Sequence, residues 1–151
     1  MTGNDYANII DDFDVENNSD YQPRNGNTYC NIFAQDVAEA CGTPLPTGGC
    51  TSMRNQLSGN QFPKWYSVTY QQAQSRANDG APAIAITYDH IAIVRPNDGT
   101  VPSAAGKVSI AQAGATCYND TTIAYGWRKS RHSEIRFYSW YETGRPDYGS
   151  N

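Results

Sequence analysis

Leucine is nearly missing from this 151-residue chain: it occurs twice, at Leu45 and Leu57. Such poverty accompanies disorder when net charge is high and aromatics are few. Neither condition holds, because the chain has 11 Tyr, 3 Trp and 4 Phe and a net charge of −4. Aromatic and β-branched side chains must therefore fill the core, a composition that leans toward strands with a few short helices. A basic excess is also lacking. Eleven Lys and Arg against 15 Asp and Glu give a pI near 5.0, so nucleic acid and anionic lipid gain no general attraction. No run approaches the roughly 20 apolar residues of a membrane span. Residues 1–8 carry neither a basic n-region nor an apolar h-region, so no cleaved signal peptide is expected. The chain then stays where it is made, leaves by a route without such a signal, or has been trimmed. Cys30, Cys41, Cys50 and Cys117 contain no C-x-x-C pair, which leaves zinc ribbons and fingers weakly supported. No metal or cofactor is expected. The length fits a single domain, residues 1–151, with one core.

Tyr6, Ile9, Ile10 and Phe13 share a helical face and predict a short helix over residues 6–13. Residues 14–27, rich in Asn, Asp and Ser, read as a loop. Asn27-Thr28 offers an N-cap for a helix over residues 29–41, with a stripe of Cys30, Phe33, Val37, Ala40 and Cys41 and a stop at Gly42. A short helical turn is expected over residues 52–57. Thr69-x-x-Gln72 reads as a capping box for a helix to about Asn78. Strands are expected over residues 83–88, 90–95, 108–113 and 135–141. The first two form one bent strand or a very tight hairpin around Asp89. Helices followed by an antiparallel meander make an α+β pattern, N-terminal helices packed on an antiparallel sheet.

Two residues carry the sharpest chemistry. Cys30 falls in the first turn of a helix, where the dipole and free backbone N–H groups favour a thiolate and can receive an oxyanion. His90 opens the apolar run His90-Ile-Ala-Ile-Val-Arg95, where it can take the thiol proton and return it to a leaving amine. The other histidine, His132, sits in Arg128-Lys-Ser-Arg-His-Ser-Glu134 and reads as part of an exposed basic turn. A buried structural cysteine and a structural strand-end histidine are the plain alternatives for Cys30 and His90.

The run Thr28-Tyr-Cys-Asn-Ile-Phe-Ala-Gln-Asp-Val37, with Ala-Cys-Gly42 and Pro44-x-Pro46 after it, resembles the nucleophile helix of papain-like peptidoglycan hydrolases of the NlpC and CHAP types. His90-Ile-Ala-Ile-Val94 resembles their histidine strand, and Val108-Ser-Ile-Ala-Gln-Ala-Gly114 the strand of their third polar residue. The resemblance covers about residues 6–141. Size and motif order look most like a type VI secretion amidase effector. One departure is Asp89, where many relatives have Gly.

This resemblance implies a papain-like α+β fold and hydrolysis of an amide in the peptide stem or cross-link of peptidoglycan. Cys30 would be the nucleophile and His90 the base. Gln112 would accept the second imidazole N–H without adding charge, with Asp89 and Asn119 as rivals. Tyr29, adjoining Cys30, is the one aromatic placed beside the oxyanion and substrate region. Trp65, Tyr66, Trp127 and Trp140 read as core or rim. The protein would act in the periplasm of a target bacterium, and its producer would need a cognate periplasmic immunity protein. The acidic residues Asp11, Asp12, Asp14 and Glu16 offer such a partner a steering surface, or are simply solvated.

Cys30 and Cys41, on one helix about 16 Å apart, cannot pair. Cys41 and Cys50 flank a Pro/Gly loop that a disulfide could close, leaving Cys117 free; three unpaired thiols are the alternative. Other readings stay open. A phage or bacterial lysin domain would use the same chemistry. A non-catalytic module would bind an anionic polymer through Arg128, Lys129, Arg131, His132 and Arg136. A small ribonuclease would use His132 and Glu134.

Overall fold

The computed structural model describes residues 1–59 and 62–144. Among these residues the chain forms five helices and one six-stranded sheet. The helices are α1 (Gly3–Asp12), α2 (Cys30–Ala40), α3 (Cys50–Ser58), α4 (Tyr70–Asn78) and α5 (Ile123–Gly126). The strands are β1 (Trp65–Val68), β2 (Ala83–Ile86), β3 (Ile91–Val94), β4 (Ser109–Gln112), β5 (Tyr118–Thr122) and β6 (Arg136–Trp140). Strand order is β1-β6-β2-β3-β4-β5, and every pair is antiparallel. The architecture is mixed α+β.

The expected meander is corrected in one respect. β2 to β5 follow one another across the sheet, but β6 returns to lie between β1 and β2. β1 and β5 were not expected as strands. Both are edges, and Tyr118-Asn-Asp-Thr-Thr122 is only half-buried, so neither carries an alternating apolar signal. The question of one bent strand or a hairpin resolves to a hairpin. Ile86 pairs with Ile91, and Thr87 N–H donates to the His90 carbonyl across a two-residue loop, Tyr88-Asp89. β2 and β3 are buried along their whole length, which explains their unbroken apolar runs.

α2 packs on β3 and β4. Its buried face is Cys30, Phe33, Ala34, Val37 and Ala38, whereas Ala40 is exposed and Cys41 half-buried. Two alanines on that face let the helix approach the sheet, and burial of Phe33 alone stabilises by about 1.5–3 kcal/mol. The N-cap is Tyr29 and not Asn27-Thr28, with no side-chain bond to the helix start. The first donors of α2 therefore stay uncapped by side chains.

α1 starts at Gly3, earlier than its apolar stripe, because Thr2 and Asp5 form a capping box. Tyr6 and Ile10 are fully buried, and Ile9 and Phe13 only partly. The Tyr6 hydroxyl donates to the Val94 carbonyl at 2.6 Å and ties α1 to the central strands. The loop over residues 14–27 buries Val15 and Tyr21, and the Tyr21 hydroxyl donates to Asp36 on α2 at 2.6 Å. The acidic stretch is partly spent internally. Asp11 pairs with buried Arg95 at 3.0 Å, and Glu16 accepts from Asn119 N–H at 2.9 Å. α3 starts at Cys50, two residues before the expected turn. α4 has the expected capping box of Thr69 and Gln72.

Candidate active site

The structure brings Cys30, His90 and Gln112 together. Cys30 is the first residue of α2 and is 5% exposed. His90 ends the hairpin loop before β3. Its Nε2 lies 2.9 Å from Gln112 Oε1, at the end of β4. An amide oxygen accepts only, so Nε2 carries the proton and Nδ1 is the nitrogen left for the Cys30 sulfur. The orientation of Gln112 is fixed from its other end, where Nε2 donates to the Thr116 carbonyl at 3.0 Å. An irregularity in the β4–β5 register falls between Ile110 and Gln112, where a bulge re-aims a side chain.

The electrostatics favour an ion pair. The Cys30 thiol is held well below its ordinary range, first by a hydrogen bond from Cys50 and then by His90 and the Ile91 N–H, against the opposing effect of burial. Burial works against the His90 imidazolium, but its bonds to Cys30 and Gln112 and the charges of Cys30 and Asp89 outweigh it and raise its pKa. Cysteine reactivity should therefore rise with pH through a pKa below the usual thiol range. Turnover should then fall with pH above the usual histidine range, as the imidazolium acid is lost.

The two rivals for the third position are engaged elsewhere. Asp89 forms a bidentate pair with Arg131 at 2.8 and 3.0 Å and accepts from Thr87, which pulls its carboxyl down to about 2. It ties the hairpin loop to the 3-10 turn Lys129–Glu134. Asn119 bonds Arg95 and Asp11.

Two expectations need correction. Tyr29 does not line the cleft; its ring carries the Arg24 guanidinium at 4.5 Å. The Cys41–Cys50 bridge is not formed. All four cysteines are free, and Cys50 Sγ lies 3.7 Å from Cys30 Sγ. The physical reason is that α3 begins at Cys50 and turns it toward the start of α2. Cys41, at the far end of α2, is a half-buried thiol raised to about 11 by burial. Cys117 donates to the Tyr21 carbonyl.

His132 is also less exposed than its charged neighbours suggest. Its Nε2 meets the Trp127 carbonyl at 2.9 Å, and its ring packs where Gly106 leaves room. Arg131 is spent on Asp89 and Glu134, and Arg136 bonds the Ser133 carbonyl. The basic cluster is thus half consumed by internal contacts, and Glu134 is not free to act with His132.

Two site residues carried no sequence signal. Trp127 is buried with its ring 4.6 Å from that of His90, and its Nε1 donates to Thr87. Gly126 stands where a Cβ would meet Gln112 Oε1 at 2.7 Å and Ile110 at 3.1 Å. We expect Gly126→Ala, a change that favours a helix in isolation, to displace the Gln112 oxygen. Turnover should drop by up to about 10²-fold with KM little changed, as steady-state kinetics would show. Unaltered turnover would detach Gln112 from the reaction.

Cys30 and Cys50 border an open cleft of about 800 Å³, walled by Asn31, Thr51, Asn55 and Gln56 and by Tyr88. The walls are largely neutral donors and acceptors. No group of three or more His, Cys, Asp or Glu able to hold a metal ion occurs among the described residues. No protein-family model matches the chain, and no curated protein matches it.

Proposed function

We propose that this chain is a cysteine amidase with a papain-like, NlpC-type fold that hydrolyses an amide bond in the peptide stem or cross-link of bacterial peptidoglycan. We further propose that it acts as an antibacterial type VI secretion effector in the periplasm of a target cell. The observation that carries the chemistry is the linked set Cys30, His90 and Gln112, with the 2.9 Å contact fixing the imidazole. The substrate and setting rest on the motif resemblance. The neutral polar cleft suits a short peptide of amides and hydroxyls.

The reaction follows from the groups present. The Cys30 thiolate attacks the amide carbon, and the carbonyl electrons move to oxygen. The uncapped N–H groups at the start of α2 face that oxyanion. His90 Nδ1–H gives its proton to the departing amine as the C–N bond breaks, leaving a thioester on Cys30. Neutral His90 then takes a proton from water, whose oxygen attacks the thioester. The acid leaves, and the thiolate and imidazolium are restored. Gln112 accepts Nε2–H throughout and adds no charge.

Purified sacculi test this reading. Digestion should release muropeptides with one new amine and one new carboxyl per cut, and mass spectrometry would identify the bond. Intact sacculi after treatment would refute it. In a Gram-negative host, periplasm-targeted protein should cause lysis, and the neighbouring reading frame should encode a periplasmic inhibitor that rescues growth and co-purifies. Harmless periplasmic expression, with activity confined to Gram-positive wall, would instead indicate a lysin domain.

A further inference from the structure

The sulfur of Cys30 has a second neighbour that the reaction above does not use. Cys50 is the first residue of α3, as Cys30 is of α2, and the two sulfurs are 3.7 Å apart. Cys50 is held there from both sides. The loop before it is pinned to α2 by Gln35, whose Nε2 donates to the Pro46 and Gly48 carbonyls at 3.0 and 2.9 Å. After it, the Thr51 hydroxyl donates to the Tyr88 carbonyl at 2.9 Å, which ties the start of α3 to the loop that carries His90. A cysteine needed only to fill space would not require anchors to both flanking elements.

We propose that Cys50 is a further residue of the active centre, a thiol that donates its S–H to the Cys30 sulfur and holds it as the resting nucleophile. This inference rests on the reading of Cys30 as nucleophile. His90 cannot meet that need alone. It must release its proton to the leaving group, so for part of the cycle it is neutral, whereas the Cys50 proton stays on Cys50. The proton is shared unequally: Cys30 loses its own readily, and the bond to Cys30, together with burial and the nearby negative charges, pushes the Cys50 thiol up. The charged groups around the pair are His90, Asp89 and, bound to Asp89, Arg131, while Arg54 on α3 stacks on Tyr88.

The donated bond has a cost that makes it testable. It increases the thiolate fraction at low pH, but it withdraws electron density from the sulfur. Intrinsic nucleophilicity falls by about threefold per unit of thiol pKa. Removing the donor should therefore slow Cys30 below its pKa and speed it above. Iodoacetamide labelling, resolved by peptide mass spectrometry, reads this for Cys30 alone without any substrate. In Cys50→Ala the acid limb should move up by a unit or more, giving about a tenfold lower rate near pH 5. The two profiles should cross, with the variant a few-fold faster near pH 9. Cys50→Ser, which keeps an O–H donor, should return most of the acid limb.

Superimposed wild-type and Cys50→Ala profiles, or a serine variant that behaves like alanine, would overturn the proposal. If Cys50→Ala does not fold, Cys50→Gly removes the donor without adding bulk and takes its place. Failure of the underlying reading looks different: wild-type Cys30 would then label no faster at low pH than an ordinary thiol.

Discussion

Cys30→Ala should abolish hydrolysis of sacculi while leaving the fold in place. The methyl group of alanine occupies the site of the Cys30 Cβ, alanine is the best helix former, and position 30 is the first of α2. Loss of the nucleophile removes the covalent route entirely, so turnover should fall by about 10⁴- to 10⁶-fold. Circular dichroism and thermal melting should be close to wild type. A second readout is independent of substrate. The raised pKa of His90 depends on its bond to Cys30 and on the thiolate charge, against the lowering effect of burial. With the thiol gone, His90 should titrate at lower pH than in the wild type, as NMR of the imidazole nitrogens would show. Wild-type turnover, or an unmoved His90 titration, would contradict the assignment of this pair.

His90→Ala should be nearly as inactive, and His132→Ala should keep most of its turnover. His90 holds the proton that the leaving amine needs, and its ring is fixed by Gln112 and by contact with Trp127 at 4.6 Å. Without it the Cys30 thiol loses one of the two side chains that hold it low, so labelling of Cys30 at acid pH should fall as well. His132 faces another way. Its contact with the Trp127 carbonyl is structural, and its removal should lower stability by about 1 kcal/mol, with a modest effect on kcat through Trp127. Reversal of this ranking, in kinetics on one muropeptide substrate, would move the base to the other end of the 3-10 turn.

Lysin and effector readings share this chemistry, so neither variant separates them; localisation does. The toxicity of the periplasm-targeted wild type, and its absence in Cys30→Ala, is the comparison that links the site to the biological setting proposed here.

The sequence by itself determined the α+β class, the positions of α2, α4 and the central strands, and the residue types able to work as a pair. These are local properties. The Thr69–Gln72 capping box, the Ile-rich runs of β2 and β3, and a cysteine at a helix start are readable within a few residues. Tertiary structure decided what local patterns do not encode. β1 and β5 are edge strands whose half-buried sequences have no distinct period, and β6 enters between β1 and β2 because a sheet position is chosen by burial against distant partners. The N-cap of α2 moved to Tyr29, because packing of Phe33, Ala34, Val37 and Ala38 fixed where the helix begins. The separation of 20 residues between Cys30 and Cys50 says nothing of a 3.7 Å contact. That contact exists because the starts of two helices are pinned to one hairpin loop. Gly126 and Trp127 belong to the site for the same reason: the space around Gln112 and His90 is created only when α5, β4 and the hairpin meet.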